Sequence, residues 1–337
     1  MQEGAFALLD CLGFKGIWER VAEPNNVVSK FRNMEKDIPI KIAELLPTLS
    51  TTPAFKIATA FLSDTVIVAA FVEDQRPPDD LSRGALMLAA SLAAQTVAKS
   101  FCADPIPLVL RGCITYGQFL IDGTLILGPS VDDAATLHQI SDGAFIWIDP
   151  KFDHLRIVAM QHAAGEFQKQ GPAIRNMAAS QLKSAVSPDQ QEFLDKHKDK
   201  LERVIDRIVA HASSKATNVM RAFFIEDYPM PLKGGQILRV TLIVPSASAT
   251  RLEIEHTINQ YEKGMSGDRL DVVINRQRTL EYLQYVRSLL IQRDAEYAAL
   301  ANQWLKAEFD VERQSHGKAG QRAVKIESLM TPSEIER

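Results

Sequence analysis

A chain of 337 residues, 46% of them apolar and 24% charged, is long enough to bury a sizeable core and suits one large domain or two small ones. Its formal net charge of −4 gives no excess of positive charge to attract a nucleic-acid backbone or an anionic membrane, so no nucleic-acid partner is expected. The three cysteines, Cys11, Cys102 and Cys113, form no C-x-x-C pair, fit neither a disulfide framework nor a zinc knuckle, and point to a reducing, cytoplasmic setting.

In chain order, the apolar run ending at Asp10 and followed by "CLGFKG" predicts a strand that turns into a helix. That N-terminal stretch is a poor signal peptide, because Asp10 and Lys15 interrupt it. Val27, Val28, Phe31 and Met34, then Ile40, Ile42, Leu45 and Leu46, predict helices interrupted at Pro39. "TTPAFKIATAFLSDTVIVAAFVED" reads as two strands joined at Leu62 and Ser63, with Asp64 at the start of the second. The proline-free stretch "LSRGALMLAASLAAQTVAKSF" predicts a well-buried helix. Its apolar part, broken by Ser91, Gln95 and Thr96, falls short of the roughly 20 residues that a bilayer span needs, so no membrane span is expected.

"PLVLRGCITYGQFLIDGTLILG" predicts a second hairpin turning at Asp122 and Gly123, and a helix should begin near Ser130. "AFIWIDP" and "QILRVTLIVP" read as later strands. Residues 189–212 read as a charged helix with Leu194, Leu201, Ile205 and Ile208 on one face, and "TLEYLQYVRSLLIQRDAEYAALANQWL" as a long amphipathic helix. The pattern is α+β, a mixed or antiparallel sheet covered by helices.

Two separated aspartates in strand-like settings, Asp10 and Asp64, are the residues that carry chemistry most plainly. They lie too far apart for one helix but suit two adjacent strands, where paired carboxylates bridge divalent ions and clamp a polyphosphate. Each alone is also what a helix cap or a turn uses. The P-loop, G-x-G-x-x-G, H-E-x-x-H and G-x-S-x-G patterns are absent, and the seven histidines form no ligand pair at helical spacing.

In their order, "FALLDCLGF", "FLSDTVIVAAF", "LVLRGCITYG" and "LILGPSVDDAATL" resemble the catalytic core of class III nucleotidyl cyclases. The resemblance implies a ferredoxin-like cyclase palm and an added C-terminal helical region. It also implies two divalent ions, Mn2+ or Mg2+, on Asp10, Asp64 and the Cys11 backbone carbonyl, with Arg111 as a phosphate ligand. Amides at Cys11, Leu12, Gly13 and Phe14 are expected to hold the triphosphate, and Lys233 corresponds to a late phosphate-binding lysine. Catalytic sites of that family form between two subunits, which implies a homodimer.

The chain departs from the purine-specific pattern. The slots whose side chains read a purine edge hold Ala60 and Leu125, and the stretch that orients the ribose and stabilises the transition state reads "VDDAATL", with Asp132 for its asparagine and Thr136 for its arginine. Arg156, Arg175 and Arg221 are available to replace that arginine. With "PLKGGQILRV" and "RTLEYLQYV", the set looks like the bacterial pyrimidine cyclases of the Pycsar anti-phage system, whose cyclic UMP or cyclic CMP activates a separate effector. Lys56, on the Asp64 face of its strand, is the candidate for preferring uracil over cytosine. The resemblance implies a UTP cyclase; a CTP cyclase and a degenerate nucleotide-binding domain are the alternatives, beside an unrelated two-metal phosphotransfer enzyme. The expected division is a catalytic domain over 1–245 with a helical insertion near 165–215, a helical region over 246–310 and a polar tail over 311–337.

Overall fold

The structure, a computed structural model, describes residues 1–12, 23–45, 55–73, 77–102, 109–122, 125–169, 202–203, 206–207, 224–244, 254–255, 258–259, 262 and 270–315. The predicted helix at 189–212, Gly13, Phe14, Gly123, Arg175, Arg221 and the tail from residue 316 onward lie outside the described residues.

The first six elements among the described residues are β1 (Gln2–Leu12), α1 (Pro24–Leu45), β2 (Phe55–Leu62), β3 (Thr65–Val72), α2 (Asp80–Cys102) and β4 (Val109–Asp122). They form a sheet in the order β2-β3-β1-β4, with every neighbouring pair antiparallel. This β-α-β-β-α-β winding is the ferredoxin-like arrangement, and it makes β1 a central strand. β5 (Leu125–Leu127) folds back on β4, and α3 (Pro129–Leu137) follows. The sheet then continues through β6 (Ile146–Ile148), parallel to β4, and through β8 (Ile237–Ile243) to β7 (Phe224–Pro231) at the edge. The helices α4 (Asp153–Lys169) and α5 (Leu270–Ser315) complete the named elements, and the α+β expectation holds.

Strand alternation divides β1 between two cores. Ala5, Ala7, Leu9 and Cys11 join Met34, Ile38 and Ile42 of α1 and the alanine- and leucine-rich α2 on one face. Phe6 and Leu8 join Ile67, Ala69, Phe71, Phe119 and Ala134 of α3 on the other. Ser91, buried in α2, donates its hydroxyl to the Met87 carbonyl at 2.7 Å, so no polar group is stranded there. On α5, the buried Tyr282 donates to the Ile243 carbonyl at 2.9 Å and stacks edge-on against Phe145 and Tyr228.

Pro39 does not split α1, which runs unbroken around it. Ile38 and Ile42 on either side bury completely, and that packing outweighs the roughly 3 kcal/mol an internal proline costs. The hairpin between β2 and β3 turns at Ser63–Asp64, one residue later than expected, with Ser63 at φ 58°. α5 extends to Ser315, into the segment read as tail. The chain divides into two compact units, one of Met1–Glu166 with Thr217–Ser288, the other of Phe167–Ala216 with Leu289–Arg337. Every strand among the described residues belongs to the first. Among the described residues, no helix is long and apolar enough to cross a membrane.

Candidate active site

Asp10 stands near the C-terminal end of β1, in register with Thr65 of β3 on one side and Arg111 of β4 on the other. It continues the Phe6–Leu8 face, where the apolar cluster gives way to polar residues. Asp64 forms the hairpin turn beside it, and the Cys11 amide donates to the Asp64 carbonyl at 2.7 Å. That bond clips the turn to the end of β1, so residues far apart in sequence meet at one end of the sheet.

Arg111 Nη2 donates to Asp10 Oδ2 at 2.6 Å, with side-chain exposures of 11% and 20% respectively. Its Nε is buried and without a partner. A buried donor left unpaired is costly, so this guanidinium has bonding capacity the free protein does not use. Gly112 next to it permits the close approach of β1 and β4: a Cβ there would lie 2.3 Å from the Leu8 carbonyl oxygen and 2.6 Å from Leu9 Cδ2.

Two carboxylates on neighbouring strand ends fit a hard divalent cation, whose shell is then completed by phosphate oxygens and water. Among the described residues no group of three or more His, Cys, Asp or Glu could hold a metal. An ion held by Asp10 and Asp64 would take substrate or water as its remaining ligands.

His138, which sequence reasoning passed over, closes the same end from above. It caps the C-terminus of α3, its amide donating to the Ala134 carbonyl at 2.9 Å and its Nδ1 lying 3.2 Å from the same oxygen. Burial pushes the ring below the ordinary imidazole range; the Ala134 carbonyl and Asp10 oppose that shift, and Arg111 adds to it. The signal in the sequence was its place two residues after the arginine slot at Thr136.

Several other predicted residues pair or pack with groups other than Asp10. Lys56 is on the Asp10 face, but it lies opposite Phe71, six positions along β3 from Thr65, a separation of about 20 Å. There it pairs with Glu73 across the sheet edge. Ala60 lies opposite Ile67 and packs on the Phe6 cluster. Leu125 pairs with Asp122 at the far end of β4. Asp132 is exposed in the first turn of α3, where its carbonyl accepts the Thr136 hydroxyl at 2.9 Å. Lys233 sits in the β7–β8 turn, its amide donating to the Ile140 carbonyl at 2.9 Å. Leu12 packs with Val109, Ala144 and Leu280.

Arg156 is no substitute for the arginine missing at Thr136. It is 1% exposed and its donors go to Asp153, Glu226 and the Met160 sulfur, with the Phe224 ring 4.9 Å away. Met160 and Phe224 belong to the core on the α2 face, opposite Asp10. A cavity of about 370 Å³ bounded by Asp153, Arg156, Glu226, Arg239 and Thr241 lies with them rather than at the aspartates.

No family model and no curated protein matches the chain. Among solved structures, it is similar to the dimeric guanylyl cyclase domain of the RhoGC fusion protein from the aquatic fungus Blastocladiella emersonii, at 12% identity and TM-score 0.33, over 46% of this chain and 83% of that one. It is likewise similar to the guanylate cyclase domain of RhGC from Catenaria anguillulae in complex with GTP, at 12% identity and TM-score 0.32, over 46% of this chain and 81% of that one.

Proposed function

We propose that this protein is a nucleotidyl cyclase that converts UTP to 3′,5′-cyclic UMP and pyrophosphate, as the second-messenger synthase of a Pycsar-like anti-phage system. The observation that carries the reading is the meeting of Asp10, Asp64 and Arg111 at one end of the sheet, through the Asp10–Arg111 pair at 2.6 Å and the Cys11–Asp64 clip at 2.7 Å. In the reaction the ribose 3′ oxygen attacks the α-phosphorus, its proton is lost, and the bond to the β-phosphate breaks to release pyrophosphate. Two divalent ions, Mn2+ or Mg2+, held by Asp10, Asp64 and the Cys11 carbonyl, supply when bound the positive charge that activates the hydroxyl and stabilises the leaving group.

Arg111 presents a planar fork of donors suited to phosphate oxygens. With the triphosphate present, it exchanges its carboxylate partner for phosphate. Gly112 lets β1 and β4 approach closely beside that fork, and the β3 hairpin fixes the position of the Asp64 backbone. Ala60 and Leu125 offer a purine edge no partners, and a site that leaves such groups unpaired discriminates strongly; together with the Pycsar resemblance this supports a pyrimidine.

Leu125, in register with Asp122 at the far end of β4, stands apart from Asp10 within one chain and takes part only if a second copy brings it, which supports a homodimer with sites at its interface; the Pycsar resemblance adds a separate effector that receives the product. The Thr136 hydroxyl, turned back on its own helix, favours the second reading, a degenerate domain that binds nucleotide without turnover.

The test is incubation with ATP, GTP, CTP and UTP in turn, with Mn2+, and mass spectrometry of the products. Cyclic UMP from UTP alone is expected. Cyclic CMP would reassign the base, a purine product would overturn the reading of Ala60 and Leu125, and nucleotide binding without product would favour the degenerate domain.

A further inference from the structure

α3 runs along β4 in a register that the contacts define. At its start, a Cβ on Gly128 would meet the Gln118 carbonyl oxygen and Phe119 at 2.7 Å, and Gly128 itself has φ 143°. Ser130 donates to the Gln118 carbonyl at 3.1 Å, while its own carbonyl accepts the Thr115 hydroxyl at 3.1 Å. Ala134 then packs in the cluster with Leu8, the register partner of Cys113. The helix advances about 12 Å from Ser130 to His138, and β4 advances about 13 Å from Thr115 back to Arg111. The two elements therefore bring His138 to the level of Arg111 and Asp10, where the ring is within electrostatic reach of both.

The hydrogen bonding fixes which nitrogen faces outward. The Ala134 carbonyl only accepts, so the ring nitrogen 3.2 Å from it, Nδ1, carries the proton. A neutral ring bonded in this way has Nε2 as a bare acceptor. Arg111, at the same level, has a buried Nε–H with no partner. An unused donor and an unused acceptor thus lie at one level of the site.

We infer that His138 is a positioning residue for Arg111: its Nε2 accepts from the guanidinium and orients it once substrate phosphate draws the arginine off Asp10. In the free protein Asp10 holds the guanidinium by one ion pair. When the triphosphate arrives, His138 replaces the carboxylate as the fixed point and keeps the fork aimed at phosphate. The inference rests on the cyclase reading for the identity of the substrate, but not for the Arg111–His138 bond itself.

The test combines nitrogen-15 NMR of the full chain with three variants. In the wild-type protein the His138 ring should be the Nδ1–H tautomer, and the Arg111 Nε–H resonance should move and become protected from exchange when magnesium and UTP are added together. His138→Ala and His138→Phe should each abolish that protection and raise KM for UTP about tenfold, the effect of one hydrogen bond to a charged group. His138→Gln, which retains an acceptor, should restore KM to within about threefold of wild type, since the bond is retained at altered geometry.

An Nε2–H tautomer, or a His138→Phe protein equal to wild type with His138→Gln impaired, would reduce the residue to packing and overturn the inference. If the wild-type chain binds UTP without forming product, the cyclase reading fails, while the NMR signals and UTP dissociation constants of the same variants still decide the role of His138.

Discussion

Among the described residues two arginines are buried, one on each side of the sheet, and they are buried on different terms. Arg156 is ringed by partners: Asp153 takes Nε and Nη2, Glu226 takes Nη1 and Nη2, the Met160 sulfur takes Nη1, and Phe224 lies against the plane. Arg111 has one carboxylate and an Nε with nothing to bond. Burying a guanidinium costs more for every donor left unmet. A fully met arginine holds structure together, whereas a partly met one retains capacity for a ligand. The cavity of about 370 Å³ lies beside the saturated arginine, so a hollow is a poorer guide here than the state of the donors around it.

The sharpest way to break this comparison is to remove each arginine in turn. Arg156→Met should destabilise the fold by about 3 kcal/mol, the low end for a broken buried ion pair, because Asp153 and Glu226 keep some access to water. Arg111→Met should cost about 1.5 kcal/mol in the same urea titration, since one charge-assisted bond is lost while an unpaired buried donor is removed with it, yet it should remove triphosphate binding. Equal losses of stability would erase the distinction. Gly112→Ala should cost about 2 kcal/mol by forcing β4 from β1, and it should also weaken triphosphate binding, because the strand that moves carries Arg111.

Tyr282 extends the comparison to another saturated group. Burial, with Tyr228 adding to it, pushes its phenol well above the ordinary tyrosine range. The folded state therefore keeps a proton that the unfolded state releases, and the stability this gives is full below about pH 10 and lost as pH rises beyond it. Tyr282→Phe should cost about 1 kcal/mol at neutral pH through the lost bond to the Ile243 carbonyl, and its stability should fall less steeply above pH 10 in thermal unfolding. The smallest effect belongs to Lys56. Its pair with Glu73 has side chains 56% and 64% exposed, so Lys56→Ala should change stability by less than about 0.5 kcal/mol and leave UTP turnover unaltered.

These contrasts also mark what was legible in the sequence. β1, β3 and α2 were, because continuous apolar runs bounded by turns leave few alternatives. β7 was not: Glu226, Asp227, Pro229 and Pro231 defeat alternation, and a strand with two prolines survives only because it lies at the sheet edge, with a register shift between Ile225 and Tyr228. Asp10, Asp64 and Arg111 could be named from their motifs, but nothing linear revealed that the Cys11 amide ties the hairpin to β1 or that Arg111 turns onto Asp10. Lys56 stands far along the sheet from Asp10 for a physical reason. Even spacing places two residues on one face of a strand and says nothing of the distance between them along it. His138 escaped notice because a single histidine has no spacing partner; only the seating of α3 on β4 brings it to the site.

The central claim, that the aspartate end of the sheet performs metal-dependent cyclisation, is tested most directly by assaying wild type, Asp10→Asn and Asp64→Asn with UTP and Mn2+. Product would be read by mass spectrometry and folding by circular dichroism. The account predicts cyclic UMP from wild type and none from either variant, both variants remaining folded. Cyclic UMP formed by a folded Asp64→Asn protein at the wild-type rate would contradict it.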